Sequence, residues 1–288
     1  MADSPSHRFG QVVGNILEEI LLPVLLRFCE ERSLYLDKHG DRVAVRKGRK
    51  VSWEDKYGNI HDLDFVIEKD GSDTTRGKPV AFIEAAWRRY TKHSRNKAQE
   101  IQGAVLPIAE KYERDQPFLG AVLAGEFTKG SLDQLRSIGF EVVYLPYETI
   151  IAAFETVAID ARFDEATPDA EFAKCIQKIE QLRDTKRTKL KGNLLSLNKV
   201  PFDNFFHTLR TKLDRIIKQV VVLPLFGNST SFNSVAEADD FITKFDMQYA
   251  AGEFRKYELI VMYSNKDEIR GTFNSKDRAK DFLRYVSE

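Results

Sequence analysis

The chain is short of cysteine, with two in 288 residues, and it lacks the features that announce the commoner enzyme classes. Cys29 and Cys175 both fall inside helix-like patterns. They provide neither a disulfide framework nor a thiolate metal site, and are expected to be structural cysteines in a reducing compartment. Long hydrophobic runs are missing: the most apolar stretch, "ILEEILLPVLLRFC", carries Glu18, Glu19 and Pro23 and is too short and too charged to span a bilayer. No apolar signal region follows a basic start, so a cytoplasmic protein with no membrane partner is expected. Glycine-rich phosphate loops and serine nucleophile elbows are absent. The five histidines, His7, His39, His61, His93 and His207, have no metal-ligand spacing, and only His61 and His93 flank the acidic stretch described below. An excess of one charge is absent as well, because 44 Lys and Arg balance 44 Asp and Glu. No global field draws in a polyanion, so any affinity for nucleic acid must come from local clustering.

What is present is a hydrophobic content of 42%, enough to fill one large core or two smaller ones. From about Arg8 to Glu31, apolar residues from Phe9 to Leu25 recur at helical spacing, with Pro23 a candidate kink. "DRVAVRKG", "KVSWEDKYG" and "HDLDFVIEKDG" then read as a meander of strands punctuated by glycine turns, and "KPVAFIEAAW" as a further strand. Ser94 is expected to cap a helix running through "RNKAQEIQGAVLPIAEKY". "PFLGAVLAGEF" is a strand, "SLDQLRSIG" a short helix ending at Gly139, and "FEVVYLP" another strand. A strand-helix-strand passage after an antiparallel meander predicts an α/β protein with a mixed central sheet flanked by helices.

From Glu148 to Arg183 the pattern is helical, and the basic segment Arg183 to Asn193 reads as a connector. This divides the chain into a domain over 1–183 and a smaller α+β module over 194–288. In the module, "FNSVAEADDFITKF" and "FNSKDRAKDFLRYV" match at Phe-Asn-Ser and again at later Ala, Asp and Phe positions. A two-fold repeat of a strand-helix unit is expected, each helix capped by Ser234 or Ser275.

The segment "HDLDFVIEKDGSDTTRGKPVAFIEAAWRRYTKHSRNKAQEIQ" carries the chemistry. Side chains alternate along a strand, so Asp62 shares a face with Asp64, and Glu84 shares one with Phe82, Ala86 and Arg88. If the two strands are neighbours, Asp64 and Glu84 converge. Two adjacent carboxylates repel each other unless a divalent cation sits between them, and hard oxygen ligands suit Mg²⁺. Arg88, Arg89, Lys92, His93, Arg95 and Lys97 follow at the start of a helix, a position that favours phosphate and makes them candidate nucleic-acid contacts. Gln99 and Glu100 extend the site or simply face solvent.

This arrangement resembles the PD-(D/E)XK, or restriction-endonuclease-like, nuclease superfamily over roughly Arg8 to Tyr147. Asp64 matches the first acid of its motif and Glu84 the second. Glu18 or Glu19, with Glu19 as the site residue assigned, matches the additional acid that many members carry on the opening helix. The resemblance implies a Mg²⁺-dependent DNA endonuclease, most like a type II restriction enzyme acting as a homodimer, with Asp64, Glu84 and Ala85 holding the metal. Ala86 stands where the family has a lysine that positions or deprotonates the attacking water. Three readings follow: a lysine replaced to trap an uncleaved complex, a role moved to Arg88, Lys92 or, best, Lys97, or a non-catalytic nucleic-acid-binding protein that retains the fold.

Overall fold

The computed structural model describes residues 4–91, 94–224, 229–245 and 254–287. Helix α1 (Pro5–Glu30) begins where the Ser4 hydroxyl accepts the His7 N–H at 3.3 Å and Pro5 occupies the first turn. It buries Phe9, Val13, Ile16, Leu17, Ile20, Leu21 and Leu25, the face its sequence periodicity predicts.

Strands β1 (Tyr35–Lys38), β2 (Val51–Glu54), β3 (Ile60–Leu63), β4 (Phe65–Lys69) and β5 (Lys78–Arg88) follow, then helix α2 (Ser94–Lys111). After these come β6 (Phe118–Gly125), α3 (Lys129–Ser137) and β7 (Phe140–Pro146). The central sheet has the order β1-β4-β5-β6-β7. Its β1, β4 and β5 are antiparallel neighbours, whereas β5, β6 and β7 run parallel. A mixed sheet flanked by helices is therefore what the chain forms. Phe82 and Ala86 of β5 and Ala121 and Leu123 of β6 pack with Ala98, Ile101 and Val105 of α2 and Leu132 and Leu135 of α3. Trp87 turns to the opposite face and meets Phe9 of α1 edge-on at 6.2 Å. Burial on both faces explains why β5 and β6 read as near-continuous apolar runs.

Several local expectations are corrected. "DRVAVRKG" is a loop rather than a strand, because Arg42 and Arg46 turn inward. Arg42 makes a two-pronged contact with Glu68 at 2.5 and 3.0 Å, and Arg46 reaches Asp37 at 3.1 Å, all four side chains being buried. β2 and β3 form a hairpin in a two-stranded sheet of their own, inserted between β1 and β4. The predicted 148–183 helix is interrupted: α4 (Tyr147–Glu155) and α5 (Asp169–Glu180) are separated by an irregular segment. Ser94 lies inside α2 rather than before it, its hydroxyl donating to the Thr91 carbonyl at 2.7 Å. The supposed connector 183–193 belongs to α6 (Asp184–Leu197), which buries Leu190 and Leu194, one turn apart, beneath a basic surface. Helix α7 (Lys199–Leu213) follows.

The chain divides into compact units at Met1–Leu209 and Arg210–Glu288, so the boundary falls inside α7 and not across 184–193. The second unit contains β8 (Ile217–Pro224), β9 (Thr230–Phe232), α8 (Val235–Lys244), β10 (Tyr257–Tyr263), β11 (Glu268–Phe273) and α9 (Lys276–Ser287). These strands form an antiparallel sheet in the order β11-β10-β8-β9. Each helix is preceded by two strands, not by the one strand expected. Ser234 accepts the Glu237 N–H at 3.3 Å and Ser275 the Arg278 N–H at 3.4 Å, as anticipated for the two Phe-Asn-Ser segments. Cys29 and Cys175 are buried and free, their thiols pushed up to about 12 and about 11 by burial, which suits packing rather than nucleophilic roles.

Candidate functional site

Leu63 pairs with Val51 in the small hairpin, whereas Phe65 pairs with Lys38 and Ile83 in the central sheet. Between them, at Asp64, the chain changes sheets. Asp64 therefore lies in a break and not within a strand, and its N–H joins neither ladder. Glu84 of β5 takes that N–H through Oε1 at 3.2 Å, and in return the Ala85 N–H donates to Asp64 Oδ2 at 2.7 Å. This reciprocal pair brings the two predicted acids together at the point where β4 stops covering β5. Asp62, expected on the same face, instead binds Lys50 at 2.7 Å and Ser52 at 2.8 Å on the hairpin.

The carboxylates are strained electrostatically. Glu84 is buried, 7% exposed, and its carboxyl is pushed up to about 8, first by burial and then by the Asp64 charge. Asp64 is raised for the same leading reason, loss of solvent. Each acid keeps one oxygen, Asp64 Oδ1 and Glu84 Oε2, without a hydrogen bond among the described residues. Glu18 on α1 joins this cluster: burial, then Asp64, then Glu19 raise its carboxyl to about 7.

Glu19, assigned to the site from sequence, turns away. It holds Arg187 at 2.5 and 3.1 Å and Lys191 at 3.4 Å, both on α6, and its carboxyl is lowered by them despite partial burial. The neighbouring position, one residue and about 100° around the helix, is the one directed at Asp64. Periodicity alone leaves the choice open because both glutamates flank the buried stripe.

Near the pair stands Lys97, only 16% exposed, whose charge works to lower the carboxyls of both Asp64 and Glu84. Lys97 Nζ donates to Glu100 Oε1 at 2.6 Å, and Glu100 Oε2 also receives Arg88 Nη2 at 3.4 Å. Glu100 thus joins the site through its cations, while Gln99 lines a separate shallow recess with Gln102 and Gln134. Ala86, at the motif lysine position, is 4% exposed and packed among Ala98, Ile101 and Leu123.

The basic burst does not act as one track. Arg88 caps its own strand, donating to the Trp87 carbonyl at 2.8 Å, and burial lowers its pKa. Arg89 lies over the rings of Tyr90 and Phe172 at 4.1 and 4.4 Å, away from the carboxylates. Arg95 is exposed at the start of α2. Lys92 and His93 lie outside the described residues. His61, expected to flank the site, binds Asp55 at 2.9 Å in the hairpin turn.

A divalent cation fits the donors in a restricted way. Among the described residues no group of three His, Cys, Asp or Glu side chains is close enough to hold an ion, so a closed protein cage is not formed. The two unbonded oxygens of Asp64 and Glu84 are the hard donors that suit Mg²⁺, which commonly takes one or two carboxylates and keeps its remaining positions for water and phosphate. Ala85 adds a third candidate. In an extended strand the N–H and C=O of one residue leave from the same edge, so its carbonyl faces the Asp64 side, where β4 offers no partner beyond Phe65.

The fold and site thus define a mixed α/β protein with a paired-carboxylate centre where the chain breaks between β3 and β4 beside the central strand β5, and a lysine near it. Comparison with protein-family models, curated proteins and solved structures found no match. Among the described residues no helix is long and apolar enough to cross a membrane.

Proposed function

We propose that the chain is a Mg²⁺-dependent DNA endonuclease of the PD-(D/E)XK type, hydrolysing phosphodiester bonds in the manner of a type II restriction enzyme. The observation that carries this is the reciprocal bonding of Asp64 and Glu84, with Lys97 against both. The order α1, β1, β4, β5, α2, β6 supports it, with the β2–β3 hairpin as an insertion. Asp64, Glu84 and the Ala85 carbonyl would hold the cation, which when bound supplies Lewis acidity and lowers the pKa of a water. Lys97, one turn into α2, takes the place of the missing strand lysine. Its ammonium offers hydrogen bonds to orient the attacking water and offsets charge building on the phosphate oxygens. Arg88, protonated throughout, grips a neighbouring phosphate, and Glu100 holds both cations in place. Water oxygen bonds to phosphorus and its proton passes to bulk solvent, while the bond from phosphorus to the leaving deoxyribose oxygen breaks and that oxygen takes a proton from solvent. Cutting both strands of a palindrome takes two such sites, which makes a homodimer the expected assembly.

Incubation of supercoiled, linear, single-stranded and branched DNA with the intact protein and Mg²⁺ tests the reading. Cleavage is expected, with Asp64→Asn and Lys97→Ala each slower by about 10²–10⁴-fold. If no substrate is cut with Mg²⁺ or Mn²⁺ while the protein still binds DNA, the second reading takes over: a non-catalytic binder, favoured by the absence of a lysine at Ala86. Ala86→Lys separates the two. It adds no rate if Lys97 already fills the role, brings cleavage to an inactive chain if the missing lysine alone silences it, and leaves every substrate intact if the chain is a binder.

A further inference from the structure

A cavity of about 360 Å³ opens where β5 ends, lined by Arg89, Tyr90, Glu126, Tyr147, Phe163 and Asp164 among others. Its size is that of a small-ligand pocket. It begins five residues beyond Glu84, about 16 Å along an extended strand, just past the end of β5 and apart from the carboxylate pair. The turn that shapes it is fixed by Gly125. With φ at +94°, this residue sits so close that a Cβ would lie 2.1 Å from the Arg88 carbonyl oxygen, the oxygen that accepts the Glu126 N–H at 2.7 Å.

Three properties of the lining do not fit a plain surface dimple. Its walls are aromatic. Arg89 is held between Tyr90 and Phe172, makes no ion pair among the described residues and has a buried Nη1 with no partner. Glu126, half-buried and raised by burial and by Glu148, likewise makes no side-chain hydrogen bond or ion pair there. A guanidinium and a carboxylate thus share one small cavity without pairing with each other. A phosphate is a poor occupant, since Glu126 and Asp164 would repel it. A flat ring with donors on one edge and acceptors on another satisfies all three features at once.

We propose that this cavity receives an unstacked guanine of the nucleic-acid substrate, a subsite that rests on the nuclease reading of the carboxylate pair. Guanine alone among the bases offers N1–H and N2–H side by side, a match for the two oxygens of Glu126, while its O6 and N7 accept from arginine. Tyr90 and Phe163 supply faces on which a base removed from its stack rests.

The test uses the intact protein without divalent ions, where cleavage is silent, titrated with dGMP, dAMP, dCMP, TMP and inorganic phosphate and followed by tyrosine and tryptophan fluorescence. Saturable binding of dGMP at millimolar concentration or below is expected, with the other nucleotides and phosphate at least about tenfold weaker. Glu126→Ala and Glu126→Gln should each weaken dGMP by about tenfold while leaving thermal stability unchanged, since neither breaks a contact. Equal affinity for all nucleotides, competition by phosphate alone, or no binding by the folded protein overturns the guanine subsite. A protein that cleaves DNA yet binds no dGMP has lost only this subsite; one that binds dGMP and cleaves nothing has lost only the nuclease reading.

Discussion

At the scale of single residues, the site is governed by two acids that water would ordinarily keep charged. Burial holds the Glu84 carboxyl at about 8 rather than 4.5, so the native chain keeps a proton that the unfolded chain has released. Stability from this group is complete below about 4.5 and is lost as pH rises through about 8. Glu18, raised to about 7, adds a loss of the same sign that is complete slightly earlier. In Glu84→Gln the first contribution disappears, and its melting temperature, measured without metal, should exceed that of the wild type at pH 8 by the equivalent of roughly 1–3 kcal/mol. The gap should shrink towards acid. Mg²⁺ should reverse it by stabilising only the wild type, with affinity rising as the carboxyls deprotonate. The two helix glutamates separate by the same logic. Glu18→Ala should lower cleavage with little effect on folding, because Glu18 has no ion pair to lose. Glu19→Ala should leave turnover nearly intact and cost about 1 kcal/mol in a denaturant melt through its half-exposed contact with Arg187.

At the scale of elements, the buried ionic group beneath β1 and β4 sets the geometry of β4, the strand that follows Asp64. Arg42 and Glu68 are both almost fully enclosed, so truncating one strands the other. Glu68→Ala should destabilise the fold by about 3–5 kcal/mol, whereas Glu68→Ala combined with Arg42→Met should recover much of that loss; urea titration of the single and double variants measures both. This group also shows where sequence patterning stopped. "DRVAVRKG" alternates in the manner of a strand, and nothing local marks its arginines as inward-facing; their partners Asp37 and Glu68 lie in two other elements. α6 was masked in the opposite sense, since two buried leucines among lysines and arginines leave little helical stripe to detect. The elements with full apolar faces, α1, α2, β5 and β6, were legible because burial itself writes the pattern. Asp64 and Glu84 were legible too, as charges interrupting such faces. Lys97 was legible as the substitute for the lysine missing at Ala86, whereas Glu18 over Glu19 required the three-dimensional approach of α1 to Asp64.

At the scale of the whole molecule, a chain with no net charge must hold a polyanion through few contacts, and that number can be counted in solution. Of the basic residues near the carboxylates, Arg88 and Lys97 are partly neutralised by Glu100, Arg89 is committed to aromatic rings, and Arg95 stands exposed. Three to five phosphates per chain give a slope of log affinity on log salt of about −2.7 to −4.5. Between about 50 and 200 mM salt, binding measured in Ca²⁺ should then fall by roughly 40- to 500-fold per chain. Arg95→Ala should make the slope shallower by about 1, since it removes one phosphate contact, while Arg89→Ala should leave it unchanged and alter base preference instead. A flat salt response would mean that the polyanion is not the ligand of this face, and the carboxylate pair would then need a different substrate.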